Sequence, residues 1–162
     1  MAKRGKRGKS EKGVVVLAAC FAGHETRKFD QGNRIAIPTM FRKDLGESFI
    51  VLKAIQNEPC LVLFSEEEWI RFGEGVTEKY EGKKQAAVQR KLAARSDKVT
   101  IDKQGRITLK EDFKAYARLE NEVIAVGAMN RVELWAPAVW DEWNADEDVD
   151  LDDISYSAKG GK

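Results

Sequence analysis

Two short segments pair an acidic with a basic residue at the same spacing, and they carry the first functional interpretation. The letters FDQGNRIAI from position 29 recur as IDKQGRITL from position 101, so Asp30 and Arg34 return as Asp102 and Arg106. A guanidinium presented at a tight turn can hold a phosphate or a guanine edge through two parallel hydrogen bonds. We therefore expect Arg34 and Arg106 to contact a nucleic acid. The two aspartates are expected to orient the loops.

The residues just before each arginine indicate a tight turn. Gly32 and Asn33 stand there in the first copy, and Gln104 and Gly105 in the second. Glycine and asparagine are the residues that best tolerate a positive φ angle. The pattern therefore predicts a left-handed backbone position immediately before the arginine in both copies.

A structural explanation of the same spacing stays open at this point. An aspartate can accept hydrogen bonds from turn amides while an arginine four positions later pairs with it, and such surface ion pairs are frequent and individually weak. Spacing alone does not choose between this role and nucleic-acid contact. The arginine at a tight turn in both copies favours contact with phosphates or bases.

An internal repeat must hold the two turns in place. The similarity continues 72 positions apart from Phe41 to Phe113 and, after one deletion, aligns Trp69 with Trp140. One unit therefore covers about 50 residues and occurs twice. Its residue pattern predicts a strand, a tight turn, a second strand, a short helix and two more strands. The predicted class is mainly β with short helices, an α+β fold.

Helix signals delimit the short helix of each unit. In the first unit Pro38 suits a first helical turn and Gly46 a C-terminal stop, so the helix is predicted between them. Its counterpart is predicted over residues 111–119, where no proline stands at the start. We expect these helices to follow the turn-bearing strands directly.

The connector between the units is predicted to be helical in two stretches. The letters SEEE from Ser65 have capping-box spacing, and apolar anchors follow them. Gly73, Gly75 and Gly82 are expected to interrupt this first helix. A second helix is predicted from Lys83 to Arg95, with small and apolar residues on one face and bases on the other.

Charge is distributed in separate blocks along the 162 residues, although the formal net charge is only +1. Residues 1–13 hold six bases and one acid, residues 82–98 hold six bases and one acid, and residues 141–153 hold eight acids. Both ends have the composition of disordered segments. No apolar stretch approaches the roughly 20 residues of a membrane-spanning helix. A near-neutral sum therefore does not exclude a polyanionic partner.

These features together resemble the MraZ family. The resemblance rests on the paired Asp-x-x-x-Arg units and on Pro38, Phe41-Arg42, Val88-Gln89-Arg90, Val126-Gly127 and Glu133-Leu134-Trp135. It covers the chain from about Phe21 to Trp143. Members usually carry Lys-Gly before the first arginine, whereas Gly32-Asn33 stands here, and residues 1–20 form an extension.

The resemblance implies a bacterial transcriptional regulator from the division and cell-wall gene cluster. It implies two tandem AbrB-like, swapped-hairpin units with pseudo-two-fold symmetry, and a ring-shaped homo-oligomer. The expected partner is double-stranded promoter DNA near the protein's own gene, and the expected role is that of a repressor. No catalysis, cofactor or membrane is implied, and the expected location is the cytoplasm, in association with the nucleoid. By position, Arg34 and Arg106 are the implied DNA-contacting residues.

The predicted organisation has five parts, and both turns are expected on one face. The parts are a basic arm (1–13), a first AbrB-like unit (14–72), a helical connector (73–95), a second unit (96–143) and an acidic tail (144–162). The predicted DNA-binding residues are Arg34, Arg106, Lys103, Asn33 and Arg42. The predicted loop-orienting residues are Asp30, Asp102, Gly32 and Gly105.

Two other functions stay open. The basic segment followed by Val14–Cys20 resembles a bacterial lipoprotein signal, with Leu17 to Cys20 as its processing box. Only six apolar residues precede that cysteine, below the usual 7–15 of such a region. The competing explanation is a segment that packs on the body beside a DNA-contacting basic arm. A self-assembling protein-interaction module without DNA binding is the other alternative.

Metal and catalytic sites find little support. Cys20 and His24, with Cys60 as a distant third ligand, lack a clear fourth ligand for zinc. His24 is the only histidine available as a base, and no GxxxxGK phosphate loop occurs. We therefore predict no metal, no cofactor and no enzymatic activity.

Overall fold

Residues 19–145 and 149–157 are described by the computed structural model. The predicted basic arm, residues 14–18 of the lipoprotein-like segment, and residues 146–148 and 158–162 of the acidic tail lie outside these described residues. Near the start of the described residues, a β-bridge pairs Phe21 with Met129. The ring of Phe21 packs edge-on against Phe41, with centroids 5.9 Å apart. The body of the protein therefore includes the residue next to Cys20.

The described elements follow the predicted order of the repeat. The first unit comprises β1 (His24–Lys28), β2 (Arg34–Ala36), α1 (Thr39–Leu45), β3 (Ser48–Lys53) and β4 (Leu61–Ser65), and the connector comprises α2 (Glu66–Thr77) and α3 (Lys83–Ala94). The second unit comprises β5 (Ser96–Thr100), β6 (Arg106–Thr108), α4 (Glu111–Tyr116), β7 (Glu122–Gly127) and β8 (Val132–Trp135), followed by α5 (Pro137–Trp143). In the described part of the acidic tail, Leu151–Asp153 form a 3-10 turn.

The two units exchange strands. A six-stranded antiparallel sheet has the order β1-β7-β8-β4-β3-β5, so the first strand of each unit pairs with the third strand of the other. The turn-bearing strands β2 and β6 form a separate two-stranded ladder. The α+β class and the tandem repeat predicted from the sequence are confirmed, and the units are interleaved as the family resemblance implied.

A pseudo-two-fold axis relates the units. In the β2–β6 ladder Ile35 pairs with Ile107, its own counterpart in the repeat. In the β4–β8 pairing Val62 lies opposite Glu133, and these residues are counterparts as well. The axis therefore passes between these two pairs.

The core fills the space between the interleaved sheet and the turn-bearing ladder. All residues of β4 are buried, and so are the four central residues of β3, which matches their continuous apolar sequence. Phe41 and Leu45 of α1 and Phe113 of α4 join the same cluster, together with both central isoleucines of the ladder. Fully burying each of these side chains contributes on the order of 1.5–3 kcal/mol. The turns are therefore anchored directly in the core.

The predicted interruption of the connector at Gly73 and Gly75 is wrong. Helix α2 runs through both glycines and ends only at Thr77, while Gly82, with a φ of 61°, separates it from α3. A single glycine costs a helix only about 1 kcal/mol relative to alanine. The ring of Phe72 stacks on Phe64 with centroids 5.1 Å apart, and this packing holds the helix across the glycines.

Helix α4 is shorter than predicted. It ends at Tyr116 because Arg118 adopts a positive φ of 57°, and the amide of Leu119 then closes back on the carbonyl of Lys114 at 2.9 Å. This is the closing bond of a left-handed helix terminus, formed here without glycine. The sequence has no glycine at this position to signal the stop.

Candidate nucleic-acid interface

The first turn is organised by the carboxylate of Asp30. Its Oδ1 accepts hydrogen bonds from the amides of Gly32 at 2.8 Å and Arg34 at 3.0 Å. The amide of Asp30 donates to the carbonyl of Arg34 at 2.9 Å, which closes the loop. The guanidinium Nε of Arg34 lies 3.0 Å from Asp30 Oδ2 as an ion pair.

The second turn repeats these contacts around Asp102. Its Oδ1 accepts hydrogen bonds from the amides of Gln104 at 2.8 Å and Arg106 at 2.9 Å, and its Oδ2 accepts one from Arg106 Nε at 2.9 Å. The amide of Asp102 donates to the carbonyl of Arg106 at 2.9 Å. The contacts expected from the structural explanation of the spacing are therefore present in both loops.

The predicted left-handed positions are confirmed. Asn33 has a φ of 60° and Gly105 a φ of 78°, each immediately before the arginine. The carbonyls of these two residues accept hydrogen bonds across the axis, from the amides of Leu109 at 3.0 Å and Ile37 at 2.9 Å. The left-handed positions thus also link each turn to the other unit.

An ion pair joins the two loops. Arg106 Nη1 donates to Asp30 Oδ2 at 3.0 Å, so the carboxylate of the first loop faces both arginines. Arg34 and Arg106 stand at opposite ends of the antiparallel β2–β6 ladder, and the loops lie close together because this ladder has only three residue pairs. The structure therefore places both turns next to each other on one surface.

Accessibility differs between the basic side chains of this surface. The side chain of Arg34 is 42% exposed and that of Arg106 is 25% exposed, because Arg106 contacts two carboxylates. Lys103 lies exposed at the tip of the second turn and has no ion-pair partner among the described residues. Solvent therefore reaches Lys103 and Arg34 most freely.

Both loop carboxylates are held in the ionised form. Partial desolvation opposes ionisation of Asp30, but the amides of Arg34 and Gly32 and the charges of the two arginines lower its pKa below the usual value. The hydrogen bond from the Arg106 amide is the main cause of the lowered pKa of Asp102. At neutral pH the two turns therefore carry two negative charges, on the aspartates, and three positive charges, on Arg34, Lys103 and Arg106.

Like the two arginines of the turns, the predicted contact residues Asn33 and Arg42 have partners inside the protein. Asn33 donates through Nδ2 to Glu111 and accepts through Oδ1 from Lys114 Nζ at 2.8 Å, both in α4. Arg42 donates through Nε to the carbonyl of Ile37 at 2.8 Å and lies against Gly105. The side chain of Asn33 therefore contacts α4 of the opposite unit. The side chain of Arg42 contacts Ile37 of its own unit and Gly105 of the opposite unit.

Lys114 and Glu111 were not predicted as part of this surface. Lys114 stands 72 positions after Arg42, at the same place in the repeat, so the repeat offset itself was a signal for it. Its ammonium also lies 4.4 Å from the centroid of Phe29, beside the first loop. Glu111 has no such signal, because α1 carries no acid in its first turn.

The two cysteines, a metal site and a membrane-spanning segment were the other features considered from the sequence. Cys60 is buried, and burial raises the pKa of its thiol, whereas Cys20 is exposed. In the described ranges, 19–145 and 149–157, the structure contains no group of three metal-ligating side chains. None of the helices in these ranges has the length and apolar character needed to cross a bilayer. The lipoprotein hypothesis remains a prediction.

Known proteins match this chain over most of its length. The family model of the MraZ protein matches residues 20–91 and again residues 92–158. A relative from Clostridium tetani is 34% identical over 136 residues, which cover 83% of this chain and 94% of the relative. A Thermoanaerobacter relative (strain X514) is 35% identical over 134 residues, 82% and 92% of the two chains. Both relatives are named transcriptional regulator MraZ.

The two family matches divide the chain close to the boundary between α3 and β5, and each contains one turn. The expectation drawn from the paired turns and the repeat is confirmed by these matches: this chain belongs to the MraZ family.

Proposed function

We propose that this protein is a DNA-binding transcriptional regulator that contacts promoter DNA through its two joined Asp-x-x-x-Arg turns. Two relatives that align with this chain over more than nine-tenths of their own length carry the name of a transcriptional regulator. The observation that carries the mechanism is the surface on which Arg34, Arg106 and Lys103 lie together at two adjacent turns. The finer proposal is repression of its own division and cell-wall gene cluster.

The chemistry of the turns supports contact with a polyanion. A guanidinium has five N–H donors, and Arg34 directs only Nε at a carboxylate, so the outer edge of its fork is available for phosphate or guanine. Arg106 directs Nε and Nη1 at the two aspartates, which leaves Nη2 for a ligand. In this proposal the aspartates hold the fork orientation before DNA arrives.

One subunit alone offers little charge for holding DNA. The two turns carry three bases and two ionised aspartates, so the surplus charge of the turns is a single positive charge. We propose that several copies of the chain assemble and present their turns along one DNA segment. Linked sites can gain 10²- to 10⁴-fold in affinity through effective concentration. The assembly is proposed to be a ring, and the location the cytoplasm and nucleoid, with no catalytic step and no cofactor.

The test is a gel-shift assay with a duplex that covers the region upstream of the protein's own gene, over a salt series. The double variant Arg34→Ala, Arg106→Ala is expected to lose binding. Each arginine that reads a base is worth on the order of 1–3 kcal/mol per subunit. A charge-matched control is Lys79→Ala, Lys84→Ala, because both lysines are exposed in the connector region. Unchanged binding by the arginine variant would contradict the proposal.

Two further outcomes separate the alternatives. A folded, assembled protein that does not bind the duplex at low salt would favour a protein-interaction module. Membrane fractionation of the wild type and Cys20→Ala tests the lipoprotein alternative. Association that depends on Cys20 would contradict the cytoplasmic location.

A further inference from the structure

The helix that follows each turn-bearing strand places a basic side chain on the turn of the opposite unit. Arg42 of α1 lies against Gly105 in the second turn, and Lys114 of α4 donates to Asn33 in the first. The two contacts are counterparts in the repeat, since each partner recurs 72 positions later. The two contacts involve different residue types but the same positions of the repeat. The fold of the repeated unit therefore places a basic side chain of the helix on the opposite turn in both cases.

The contact at the second turn depends on the absence of a side chain. A Cβ built on Gly105 would lie 2.3 Å from Cζ of Arg42 and 2.5 Å from its Nη1, so the guanidinium occupies that space. The same guanidinium is fixed from the other side, because its Nε donates to the carbonyl of Ile37 at 2.8 Å. The amide of Ile37 in turn donates to the carbonyl of Gly105 at 2.9 Å.

The contact at the first turn uses a side-chain acceptor instead. Lys114 Nζ donates to Asn33 Oδ1 at 2.8 Å, and Asn33 Nδ2 donates to Glu111 of the same helix. The left-handed residue is thus an asparagine where the opposite helix offers an ammonium. It is a glycine where that helix offers a planar guanidinium.

We propose that Arg42 and Lys114 are positioning residues, each of which sets the turn of the opposite unit and so makes the two turns one binding element. This role rests on the proposed DNA-binding function for its biological meaning, but not for its structural test. It differs from the direct contact expected for Arg42 from the sequence. A direct contact removes a charge from the DNA interface when it is mutated, whereas a positioning residue changes the geometry of another loop.

The first test needs no DNA. Amide hydrogen exchange is measured by mass spectrometry across the second turn in the wild type, Arg42→Ala and Lys43→Ala. Lys43 is the matched control because it is the next residue of α1, basic and exposed. Exchange at residues 102–106 is expected to accelerate at least several-fold in Arg42→Ala only. Unchanged exchange in that variant would overturn the positioning role.

The second test exchanges one contact type for the other. Arg42→Lys alone leaves an ammonium without a side-chain acceptor, and Gly105→Asn alone places a side chain where the guanidinium lies. The double variant Arg42→Lys, Gly105→Asn rebuilds at the second turn the pair found at the first. With the upstream duplex, each single variant is expected to bind at least tenfold more weakly, and the double variant within about threefold of the wild type. Losses that multiply in the double variant would contradict the proposal.

The third measurement separates positioning from phosphate contact. The logarithm of the binding constant falls linearly with the logarithm of salt concentration, and each lost phosphate contact reduces the slope by about 1. Arg42→Ala is expected to weaken binding with an unchanged slope, whereas Arg34→Ala reduces the slope for each subunit that contacts DNA. A reduced slope in Arg42→Ala would identify a direct contact. If the wild type does not bind the duplex, the exchange experiment still decides the positioning role.

Discussion

Arg106 of the second unit donates to Asp30 of the first at 3.0 Å, across 76 positions of the chain. The same carboxylate accepts amides of its own loop and faces Arg34. Asp30 therefore belongs to both turns at once, whereas the carboxylate of its counterpart Asp102 bonds, within the described part of the chain, to its own loop. The symmetry of the repeat is broken at this ion pair.

The first prediction concerns the thermal stability of the protein at acidic pH. The pKa values of Asp30 and Asp102 are lowered in the folded protein, chiefly by loop amides and the arginine charges, which for Asp30 outweigh desolvation. A carboxylate whose pKa is lower in the folded state stabilises the protein above its unfolded pKa of about 3.9, and this contribution is lost as the pH falls through the folded value. Thermal unfolding is therefore expected to show a declining Tm below about pH 4.

Substitution of the loop carboxylates checks the origin of this decline. Asp30→Asn and Asp102→Asn are expected to lower the Tm at pH 7 and to flatten its dependence on pH in acid. Asp44→Asn serves as the control, because Asp44 is exposed on α1 outside the loops. A decline of the same steepness in the loop variants would show that other groups cause it.

The second prediction contrasts two glycines. Gly105 has a φ of 78° and its missing Cβ gives room to Arg42, so Gly105→Ala is expected to destabilise the protein by about 1–3 kcal/mol. Gly73 lies inside α2, and a Cβ built there meets nothing within 4 Å beyond its chain neighbours and the surrounding backbone of its own helix, so Gly73→Ala is expected to stabilise by about 0.5–1 kcal/mol. Chemical denaturation of both variants measures the difference. Equal effects of the two substitutions on the free energy of unfolding would contradict a special backbone requirement at Gly105.

The third prediction concerns Gly127, the last residue of β7. A Cβ there would lie 2.5 Å from the amide nitrogen of Ala22 and 2.7 Å from the carbonyl carbon of Phe21, and backbone cannot move aside as a side chain can. Gly127→Ala is therefore expected to cost about 1–3 kcal/mol by overpacking and to release the Phe21–Met129 bridge. Faster amide exchange at Phe21, with exchange in α1 unchanged, is the accompanying signature.

The fourth prediction concerns Arg95, which links the connector to both units. Its Nη2 donates to the carbonyl of Ala54 at 2.7 Å and to the hydroxyl of Tyr116 at 3.1 Å, and its Nε donates to the carbonyl of Lys53 at 3.2 Å. Arg95→Lys keeps the charge but loses the fork, so a loss of about 1.5–3 kcal/mol is expected. Each kcal/mol lowers the Tm by about 2–4 °C in a protein of this size.

The exposed Arg90 of α3 provides the control for this substitution. Arg90→Lys is expected to leave the Tm within a degree of the wild type, because surface substitutions away from such contacts change stability little. A Tm for Arg95→Lys that matches the Arg90→Lys control would show that the hydrogen bonds of the fork are not needed.

Local chemistry made the turns predictable from the sequence. Gly105 and Asn33 signalled a positive φ because few residues tolerate it, and the aspartate three positions earlier is the usual acceptor for turn amides. The repeat offset likewise predicted which elements would recur. These features depend on residues close together in the chain.

Pairing between distant residues was not predictable in the same way. The exchange of β1 and β5 between the units followed only from the family resemblance, because the residues of a strand do not specify which neighbour it joins. Helix α2 passes through Gly73 because Phe72 packs on Phe64, a contact that the connector sequence alone does not reveal. The contacts of Arg42 and Lys114 could not be predicted either, because they form only when the β2–β6 ladder brings each helix to the turn of the other unit.

The interleaved strands have a consequence for copy number. A body of this architecture built from two separate chains would dissociate on dilution, since its sheet needs strands from both. Here the helical connector holds both halves in one chain, so the pairing of their strands is intramolecular and does not depend on the abundance of the protein. A cell with few molecules would therefore still hold intact bodies, and under the proposed function abundance would govern only how many of them gather on one stretch of DNA.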